Sequence, residues 1–431
     1  MVSTDAETEF GQGELVLSTP CYVHVISEPR APGVCDHCLA APNIFDHTPP
    51  VQLARCSGCK QAYYCNVHCQ KRAWPVHKLE CKYLRKISPR KPPSLAKLMI
   101  RTCLKHKLDP GYSERLPDGR LRSLTDLKMH KEEITSSAER AEAFSSYLSV
   151  VRACVGDMFP AEELLAAYCR LLINSVEVTD AMGGSLGTAL YLGLSAVDHS
   201  CAPNVNVVFT GGRAELRAMC SGLTWARARV SYLSTVLPAQ LRRARLLSDY
   251  YFTCDCRACT CPGELDTWCG GSTVCGHCPG PVGVAEGRCG DCGRARGPEV
   301  RIPSGDVFGG EAEDAELVEL YGKLRKVFHI YDYRMVEFCE RVLSACLNMQ
   351  EFELFYEVGL HLLVAYKQYF SPCSISYGLH LAKLAKVAIY LNKIPEALDY
   401  LETCFKTFKV SHGENSEMIS YLYALRESIS L

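Results

Sequence analysis

Eight side chains that can bind zinc lie in four pairs near the start of the chain. The members of each pair are separated by two or three residues, and the pairs are Cys35 and Cys38, Cys56 and Cys59, Cys65 and Cys69, and His77 and Cys81. A pair at this spacing can bind one ion from a single turn, and two pairs complete a closed tetrahedral site. We therefore predict two structural zinc ions, each contributing on the order of 10 kcal/mol to folding. Buried free thiols are the alternative interpretation.

A second cysteine-rich zone spans residues 254–292. Its last two pairs are separated by ten residues rich in Gly and Pro, and their members are Cys275, Cys278, Cys289 and Cys292. This spacing is typical of a zinc ribbon, with loosely ordered free thiols as the alternative. Cys261 and Cys269 lie nearby and are alternative ligands. A closed site of four cysteines would leave no open position for chemistry.

The cysteine content, 26 of 431 residues, stands out in a chain of otherwise ordinary composition, with 48% hydrophobic and 22% charged residues. Residues 1–20 lack the pattern of a signal peptide, and no apolar stretch approaches the length of about 18 residues that a membrane span needs. Paired cysteines in such a chain favour metal binding over disulfides and a reducing compartment, so we predict a cytoplasmic and nuclear protein without membrane association. The cysteines without a paired spacing are predicted to lie mostly in the core, and they are Cys21, Cys103, Cys154, Cys169, Cys220, Cys339, Cys346, Cys373 and Cys404.

Basic residues are concentrated in the segment from Lys71 to Lys107, which holds twelve Lys and Arg and a single acidic residue, Glu80. The net charge of the chain is only −1, so no general attraction to nucleic acid is expected. Residues 71–107 could nevertheless make weak phosphate contacts to nucleic acid, because such patches release counterions. A solvated helical face is the alternative, and a DNA-binding regulator is the weakest of the functions considered.

Helix and strand patterns indicate the elements that would position these residues. Helices are predicted at 139–154 and 161–176, the second opened by Pro160 and two glutamates. Alternating segments at 204–209 and 214–219 predict strands. Residues 109–135 are predicted to be an irregular linker. From about residue 314 the pattern is helical to the end, with breaks at Asn348 and Asn392 and a helix stop at Gly413, which suggests tetratricopeptide-like helix pairs.

The residues around the first ligands resemble the MYND finger, a zinc module that generally binds proline-containing peptides. The resemblance is carried by Tyr63-Tyr64-Cys65, Cys69-Gln70 and the segment Trp74-Pro75-Val76-His77, with Glu80 and Cys81 after it. In that family the pairs interleave. The resemblance therefore implies one zinc on Cys35, Cys38, Cys65 and Cys69, and a second on Cys56, Cys59, His77 and Cys81.

Residues 198–204, Asp-His-Ser-Cys-Ala-Pro-Asn, resemble the N-H-S-C-x-P-N motif of SET-domain protein lysine methyltransferases. Tyr232, Tyr250 and Phe252 follow, and then Cys254-x-Cys256-x2-Cys259, which is similar to the cysteine cluster after a SET domain. A SET domain split by a MYND finger and followed by helices is the layout of the SET and MYND domain-containing (SMYD) family, and the chain resembles that family over nearly its whole length.

The SMYD resemblance implies an α+β fold with small SET-type β-sheets split by the inserted finger, a post-SET zinc site and an all-α tetratricopeptide-like domain. The implied segments are 1–28 for the first part of the SET domain, 35–81 for the MYND finger, 82–159 for a linker with SET-insert helices, 160–252 for the second part of the SET domain, 253–300 for the post-SET site and zinc ribbon, and 314–431 for the helical domain.

The same resemblance implies transfer of a methyl group from S-adenosylmethionine to lysines of histone or non-histone proteins. The amine must be neutral to react, and deprotonating a lysine at pH 7 costs about 4–5 kcal/mol unless the site helps. Tyr232 and Tyr250 would line the lysine channel. The implied cofactor-binding residues are Asn174, Ser195, Val197, Asp198, His199 and Phe252. Cys201 would join Cys254, Cys256 and Cys259 in a third zinc site that closes the cofactor pocket.

Four departures from the family pattern predict weakened catalysis. Phe10–Leu15 matches the segment after the Gly-rich cofactor turn, so either part of the cofactor pocket is missing or the sequence is truncated. Asp198 replaces the motif asparagine, and a carboxylate only accepts hydrogen bonds. Thr224–Arg229 replaces the turn before the catalytic tyrosine. Lys128 and His130 occupy the adenosine-side acidic and amide positions. The alternative function is a catalytically impaired, zinc-dependent adaptor that binds partners through its finger and helical domain.

Overall fold

The computed structural model describes residues 8–41, 52–302, 307–310 and 312–429. The start of the predicted segment 1–28 and residues 42–51 of the predicted finger lie outside the described residues. The chain forms two compact units, and each is described by itself. The first unit comprises the described part of 1–198 together with 205–228, and the second comprises 199–204 together with the described part of 229–431.

The strands are short and are distributed along the first two thirds of the chain. In chain order they are β1 Glu9–Phe10, β2 Leu15–Pro20, β3 Val23–Ile26, β4 Ala54–Arg55, β5 Tyr63–Tyr64, β6 Ser113–Arg115, β7 Leu121–Ser123, β8 Ser175–Thr179, β9 Ser185–Leu190, β10 Asp198–His199, β11 Val205–Thr210, β12 Arg213–Ala218, β13 Leu223–Thr224, β14 Arg229–Val230, β15 Ser272–Val274 and β16 Pro281–Gly283.

Helices connect the strands and form the whole C-terminal part. In chain order they are α1 Val67–Ile87, α2 Ser94–Leu108, α3 Lys131–Ser136, α4 Ala138–Val155, α5 Ala161–Asn174, α6 Ala239–Tyr250, α7 Arg257–Thr260, α8 Glu264–Cys269, α9 Asp314–Leu324, α10 Tyr333–Met349, α11 Phe352–Tyr369, α12 Ile375–Tyr390, α13 Ile394–Ser411 and α14 Glu417–Glu427. None of the described helices combines the length and the apolar composition that a bilayer-spanning segment requires. The α+β class, with small sheets and a helical C-terminal region, is confirmed.

Two antiparallel three-stranded sheets form the centre of the first unit. One has the order β11-β12-β2 and the other β3-β9-β8. Strand β12 alternates as a half-buried strand should, because Ala214, Leu216 and Ala218 are buried while the residues between them are not. The strands predicted at 204–209 and 214–219 are confirmed within about one residue.

The helix predicted at 139–154 is confirmed as α4, and the helix predicted at 161–176 as α5. Helix α5 ends two residues early, at Asn174, because the chain continues directly into strand β8. That strand contains Val176 and Val178 and pairs with β9 from Ser175 to Thr179. β-branched side chains at alternate positions favour a strand over another half-turn of helix.

The prediction of an irregular linker at 109–135 is wrong. Strands β6 and β7 form a hairpin there, and α3 follows it. The chain turns at Pro117-Asp118-Gly119, where Gly119 has a φ of 82°. Proline followed by Asp-Gly is a turn signal with a physical cause, since glycine adopts positive φ without a steric cost. The two strands are three residues long, too short for their alternation to stand out in the sequence.

In the second unit the helices from α9 to α14 pack successively, each against the next along the chain. Helix α10 shows why, because its buried residues recur at helical spacing on one broad face, among them Met335, Cys339, Val342 and Cys346. The predicted break at Asn392 is confirmed, with a φ of 56° at that residue. Asn348 instead lies inside α10, and the break falls at Gln350, which has a φ of 60°.

A buried arginine joins the helices of the first unit to its sheets. Arg101 on α2 is 6% exposed, and its Nη2 donates to Glu80 Oε2 at 2.8 Å and to Asp36 Oδ1 at 3.0 Å. Its Nε also donates to Glu80, and its Nη1 donates to the carbonyl of His24 on β3. Burial alone would raise the pKa of Glu80, but Arg101 outweighs it and holds that pKa well below its usual value. Both carboxylates are therefore charged, with Arg101 as their main partner and Lys97 Nζ 3.9 Å from Asp36 Oδ2.

We expect Arg101→Met to destabilise the first unit by about 3–5 kcal/mol, because removing one partner leaves buried charges without compensation. Chemical denaturation of the zinc-loaded protein, followed by circular dichroism, measures the change. Arg90→Met is the matched control, since Arg90 is exposed, and it should change the free energy of unfolding by less than about 0.5 kcal/mol. Equal stability of the two variants would contradict the role assigned to Arg101.

Candidate zinc centres and aromatic site

The first group of four cysteines comes together around the N-terminus of α1. The sulfurs of Cys35, Cys38, Cys65 and Cys69 lie within 4.8 Å of one another. Cys38 Sγ is 3.6 Å from Cys65 Sγ and 4.0 Å from Cys69 Sγ. A tetrahedron of sulfurs bonded to zinc at 2.3 Å has an edge of about 3.8 Å, so this group fits the ion. Asn66 caps the helix and accepts from the Cys69 amide at 3.0 Å, which orients the first turn.

The second group in the finger contains Cys56, Cys59, His77 and Cys81, all buried. His77 Nε2 lies 3.4 Å from Cys56 Sγ and 3.6 Å from Cys59 Sγ, so this nitrogen faces the ion position. A Cβ at Gly58 would come within 2.7 Å of Cys81 Sγ, and only glycine fits there. The structure thus brings both groups together in the interleaved arrangement that the family resemblance implies.

Glu80 orients the histidine of the second group. Its Oε2 lies 3.3 Å from His77 Nδ1, and its carboxylate is held in turn by Arg101. A carboxylate on the distal nitrogen fixes the tautomer that leaves Nε2 as the metal-binding atom. The sequence pattern did not indicate Asp36 or Arg101 as parts of this centre, and it indicated Glu80 only as a residue of the finger motif. The available signal was the position of Glu80, three residues after His77 on the same helix.

The third group of cysteines lies in the second unit. Cys201 meets Cys254, Cys256 and Cys259, with 3.4 Å between the sulfurs of Cys201 and Cys259. The short helix α7 follows Cys256 and carries Cys259, whose amide donates to the Cys256 carbonyl at 2.9 Å. Arg242 on α6 lies nearby, and its Nη2 donates to the Ala258 carbonyl at 2.9 Å.

The fourth group consists of Cys275, Cys278, Cys289 and Cys292. Two sulfur pairs define it, with 3.6 Å between Cys275 and Cys292 and 3.5 Å between Cys278 and Cys289. Cys269, one of the alternative ligands, is buried elsewhere, with its sulfur 2.6 Å from the Val236 carbonyl. The other alternative, Cys261, is exposed.

Aromatic side chains pack directly on the third cysteine group. The ring centroid of Tyr232 lies 5.0 Å from that of Tyr250, 5.1 Å from that of His199 and 6.5 Å from that of Phe252. Burial, and secondarily Asp249, raises the pKa of the Tyr250 hydroxyl, so it stays protonated. The residues predicted for the lysine channel are therefore neighbours, together with two of the predicted cofactor-binding residues.

His199 connects the tyrosine cluster to the cysteine group. The Tyr232 amide donates to His199 Nδ1 at 3.0 Å, so in the neutral ring the proton sits on Nε2. That nitrogen lies 3.2 Å from Cys201 Sγ and can donate to the sulfur. Burial, with a smaller effect of Arg242, lowers the pKa of His199 to about 4, so the ring is neutral at pH 7.

Four of the predicted cofactor-binding residues lie in the first unit. Ser195 is in a 3-10 turn, Leu194–Ala196, and its hydroxyl donates to the Leu192 carbonyl at 2.7 Å. Val197 follows and is buried, and Asp198 is exposed. Asn174 ends α5, and its Nδ2 donates to the carbonyls of Arg170 at 2.8 Å and Lys128 at 3.0 Å. The amide of Asn174 thereby fixes the segment that contains Lys128 and His130.

The atypical segment Thr224–Arg229 has a regular structure. It contains a 3-10 turn, Trp225–Arg227, between β13 and β14. Trp225 is buried, and its Nε1 donates to Asp118 Oδ2 at 2.9 Å. This segment is therefore anchored to the hairpin of β6 and β7 inside the first unit.

The basic segment is divided between surface and core. Lys71, Lys78, Lys82 and Arg85 are exposed on α1, but α2 is largely buried and contains Arg101. The solvated helical face thus describes α1 and not α2, and nucleic-acid contact through 71–107 stays a prediction. Of the cysteines predicted to lie in the core, Cys220 is exposed, Cys21 and Cys373 are half-buried, and the others are buried.

Comparisons with known proteins agree with this geometry. The sequence model of the family "MYND finger" matches residues 35–81. The chain is 26% identical over 430 residues to human "Histone-lysine N-methyltransferase SMYD3", covering 98% of this chain and 94% of the relative. It is also 26% identical over 417 residues to human "N-lysine methyltransferase SMYD2", covering 95% and 92%.

A similar match exists to "N-lysine methyltransferase SMYD2-A" of Xenopus laevis, at 25% identity over 424 residues, covering 96% of this chain and 94% of the relative. The similarity extends well beyond the finger, since each match covers both compact units. The resemblance of this chain to the SMYD family of protein lysine methyltransferases is therefore confirmed over nearly its whole length.

Proposed function

We propose that this chain is a protein lysine N-methyltransferase that uses S-adenosylmethionine and is held in shape by four structural zinc ions. One observation carries the proposal. Tyr232, Tyr250 and Phe252 converge with His199 on the third cysteine group, in a chain that resembles named lysine methyltransferases along nearly its full length. The proposal includes a division of the chain into a split SET domain at 1–28 and 160–252, a MYND finger at 35–81, a linker with SET-insert helices at 82–159, a post-SET site with a zinc ribbon at 253–300, and a helical domain at 314–431.

In this proposal the Tyr232 and Tyr250 rings, whose centroids are 5.0 Å apart, line one side of the channel that receives the substrate amine. S-adenosylmethionine supplies an electrophilic methyl group when bound. The aromatic walls exclude water from the ammonium and thereby lower the cost of the neutral amine, whose proton leaves to solvent. As the SMYD resemblance implies, the Tyr232 hydroxyl would lie near the transferred methyl group and would orient the lone pair of the amine. Alignment of the two reacting atoms supplies much of the rate, as in other bimolecular reactions made intramolecular.

Asn174, Ser195, Val197, Asp198, His199 and Phe252 would bind the cofactor. Neutral His199 would contribute through its position. Its ring lies between the Tyr232 amide and the sulfur of Cys201 in the proposed third zinc site, and hydrogen bonds to both hold the imidazole ring in place. The negative charge of Asp198 would attract the ammonium group of the cofactor. Substrates would be lysines of histone or non-histone proteins. The finger would bind proline-containing peptides, and the protein would act in the cytoplasm and the nucleus.

We expect elemental analysis of reduced, purified protein to find four equivalents of zinc. Cys38→Ser, Cys59→Ser, Cys256→Ser and Cys278→Ser each remove one ligand from a different group, so each should lower the count by about one equivalent. The affinity of a thiolate site falls steeply when a ligand is lost. Cys220→Ser is the control and should keep four, because Cys220 is exposed and lies outside the four groups. A wild-type count below four would contradict the proposal of four zinc ions, and a count below two would contradict the zinc finger as well.

We expect Tyr232→Phe to lower kcat by about 10–1,000-fold while the affinity for S-adenosylmethionine changes little, because the hydroxyl acts on the transferred group. Radiometric methylation of histone mixtures and calorimetric titration measure the two quantities. Tyr390→Phe, at an exposed position in α12, is the matched control and should retain wild-type activity. A wild-type protein that binds no cofactor at millimolar concentration would remove the enzyme proposal.

The adaptor is the second candidate, and Asp198 favours it because an exposed carboxylate stands where the family motif has an amide. If the chain is an adaptor, Asp198→Asn should leave lysine methylation undetectable and peptide binding unchanged. If the chain is an enzyme, the same variant should bind the cofactor and methylate at least as well as wild type, because asparagine restores a hydrogen-bond donor.

A further inference from the structure

The hairpin formed by β6 and β7 lies against the turn that carries Ser195 and Val197. We propose that its cross-strand pair, Glu114 and Arg122, positions the turn Gly193–Val197 for the cofactor, which makes both of them positioning residues of the site. Their role toward S-adenosylmethionine rests on the proposed function. All the contacts involved lie within the first unit.

Glu114 and Arg122 stand directly opposite each other in the hairpin register. Opposed side chains of an antiparallel pair project from the same face, with their Cβ atoms about 5 Å apart. The hairpin therefore presents one negative and one positive group side by side. On the neighbouring turn, Glu114 accepts from a backbone amide and Arg122 donates to a backbone carbonyl.

Glu114 holds the start of the turn. Its Oε2 accepts from the Gly193 amide at 3.3 Å and also accepts from the hydroxyl of Thr19, which is almost completely buried on β2. Thr19 Oγ1 lies 3.3 Å from the same amide. A Cβ at Gly193 would come within 2.7 Å of Thr19 Oγ1, so glycine is what allows this approach. The carboxylate thus binds the amide of the residue that directly precedes the 3-10 turn Leu194–Ala196.

Arg122 holds the other side of the turn. Its Nη2 donates to the Ser195 carbonyl at 3.1 Å. Ser195 lies two residues after Gly193, whose amide donates to Glu114. Charge-assisted bonds of this kind are stronger than neutral ones. A negative group at Gly193 and a positive group at Ser195 together fix the orientation of the backbone that leads to Val197.

The hairpin needs supports of its own, because an isolated two-stranded hairpin is at best marginally stable. At its tip, Asp118 accepts from Trp225 Nε1 at 2.9 Å. At its base, Lys105 Nζ lies 4.9 Å from the ring centre of Tyr112 and donates to the Tyr22 carbonyl at 2.7 Å. The pair is therefore carried by an element tied to the core at both ends.

Three variants test the pair. Arg122→Gln and Glu114→Gln remove the charges, and Arg122→Lys keeps a positive donor. Arg115→Gln is the matched control on the same hairpin, since Arg115 is exposed and donates to Gly119. The measurements are hydrogen exchange of residues 191–198 in the zinc-loaded protein and the Kd for S-adenosylmethionine by calorimetry. Zinc content and melting temperature identify any variant that fails to fold.

We expect both glutamine variants to exchange faster at 191–198 and to bind the cofactor about tenfold more weakly, since a lost charge-assisted bond has about that effect. Arg122→Lys should recover part of both changes, and the control should match wild type. In turnover assays the KM for the cofactor should rise more than kcat falls.

Unchanged exchange and unchanged affinity in the folded variants overturn the proposal, and Arg122→Lys decides the matter if the glutamine variants do not fold. Faster exchange with unchanged affinity overturns the cofactor role. A wild-type protein that binds no cofactor overturns the proposed function instead, while the exchange comparison still decides whether the pair holds the turn.

Discussion

Cysteines that bind zinc are deprotonated, and charged sulfurs held as close as those of the four candidate groups, within 4.8 Å of one another, repel unless positive charge keeps them in place. At the 3.4 Å that separates Cys201 and Cys259, two thiolates repel by on the order of 5 kcal/mol at an effective dielectric constant of about 20. The proposed zinc ions supply most of the compensation. Arg242, which is buried beside the third group, adds positive charge there. Arg101 has a different role, because it neutralises the carboxylates of Asp36 and Glu80 within the finger.

Two of the candidate zinc centres are linked in this way to a part of the chain distant in sequence. In the first unit, Arg101 joins the ligand-bearing helix α1 to a strand of the central sheet through Glu80 and the carbonyl of His24. In the second unit, His199 joins the Tyr232 amide to the sulfur of Cys201. His199 would not bind the proposed zinc ion itself but would contact a sulfur that does. Hydrogen bonds of this kind to metal ligands fix the orientation of the side chains involved, here the imidazole ring of His199.

The proposed chemistry uses side chains of ordinary reactivity in fixed positions. Neither a strongly acidic nor a strongly basic side chain is required, because the proposed reaction moves a methyl group from a sulfonium sulfur to an amine nitrogen and the amine loses its proton to water. What the protein must provide is an aromatic wall that stays closed and backbone turns that stay ordered. In the second unit the third cysteine group would hold the aromatic wall in place. In the first unit the hairpin of β6 and β7 would keep the backbone turn ordered.

Much of the local order could be predicted because its causes are local. Ligand pairs two or three residues apart, the start of α5 after Pro160, and the alternation of β12 all act within a few positions. The failures have physical reasons too. The strands of the 109–135 segment are too short to show a period, and the break after α10 depends on Gln350 adopting a left-handed conformation that asparagine at 348 merely suggested.

The candidate zinc ligands, the family resemblance and the main helices could all be read from the amino-acid sequence, since spacing and periodicity leave a record along the chain. The charged residues that hold these elements together became visible in the three-dimensional fold. Arg101 meets His24 across 77 residues, and Gly193 meets Glu114 across 79. Contacts at such separations have no period and no spacing rule, because they form only when folding brings remote backbone groups to a buried charge that must be satisfied.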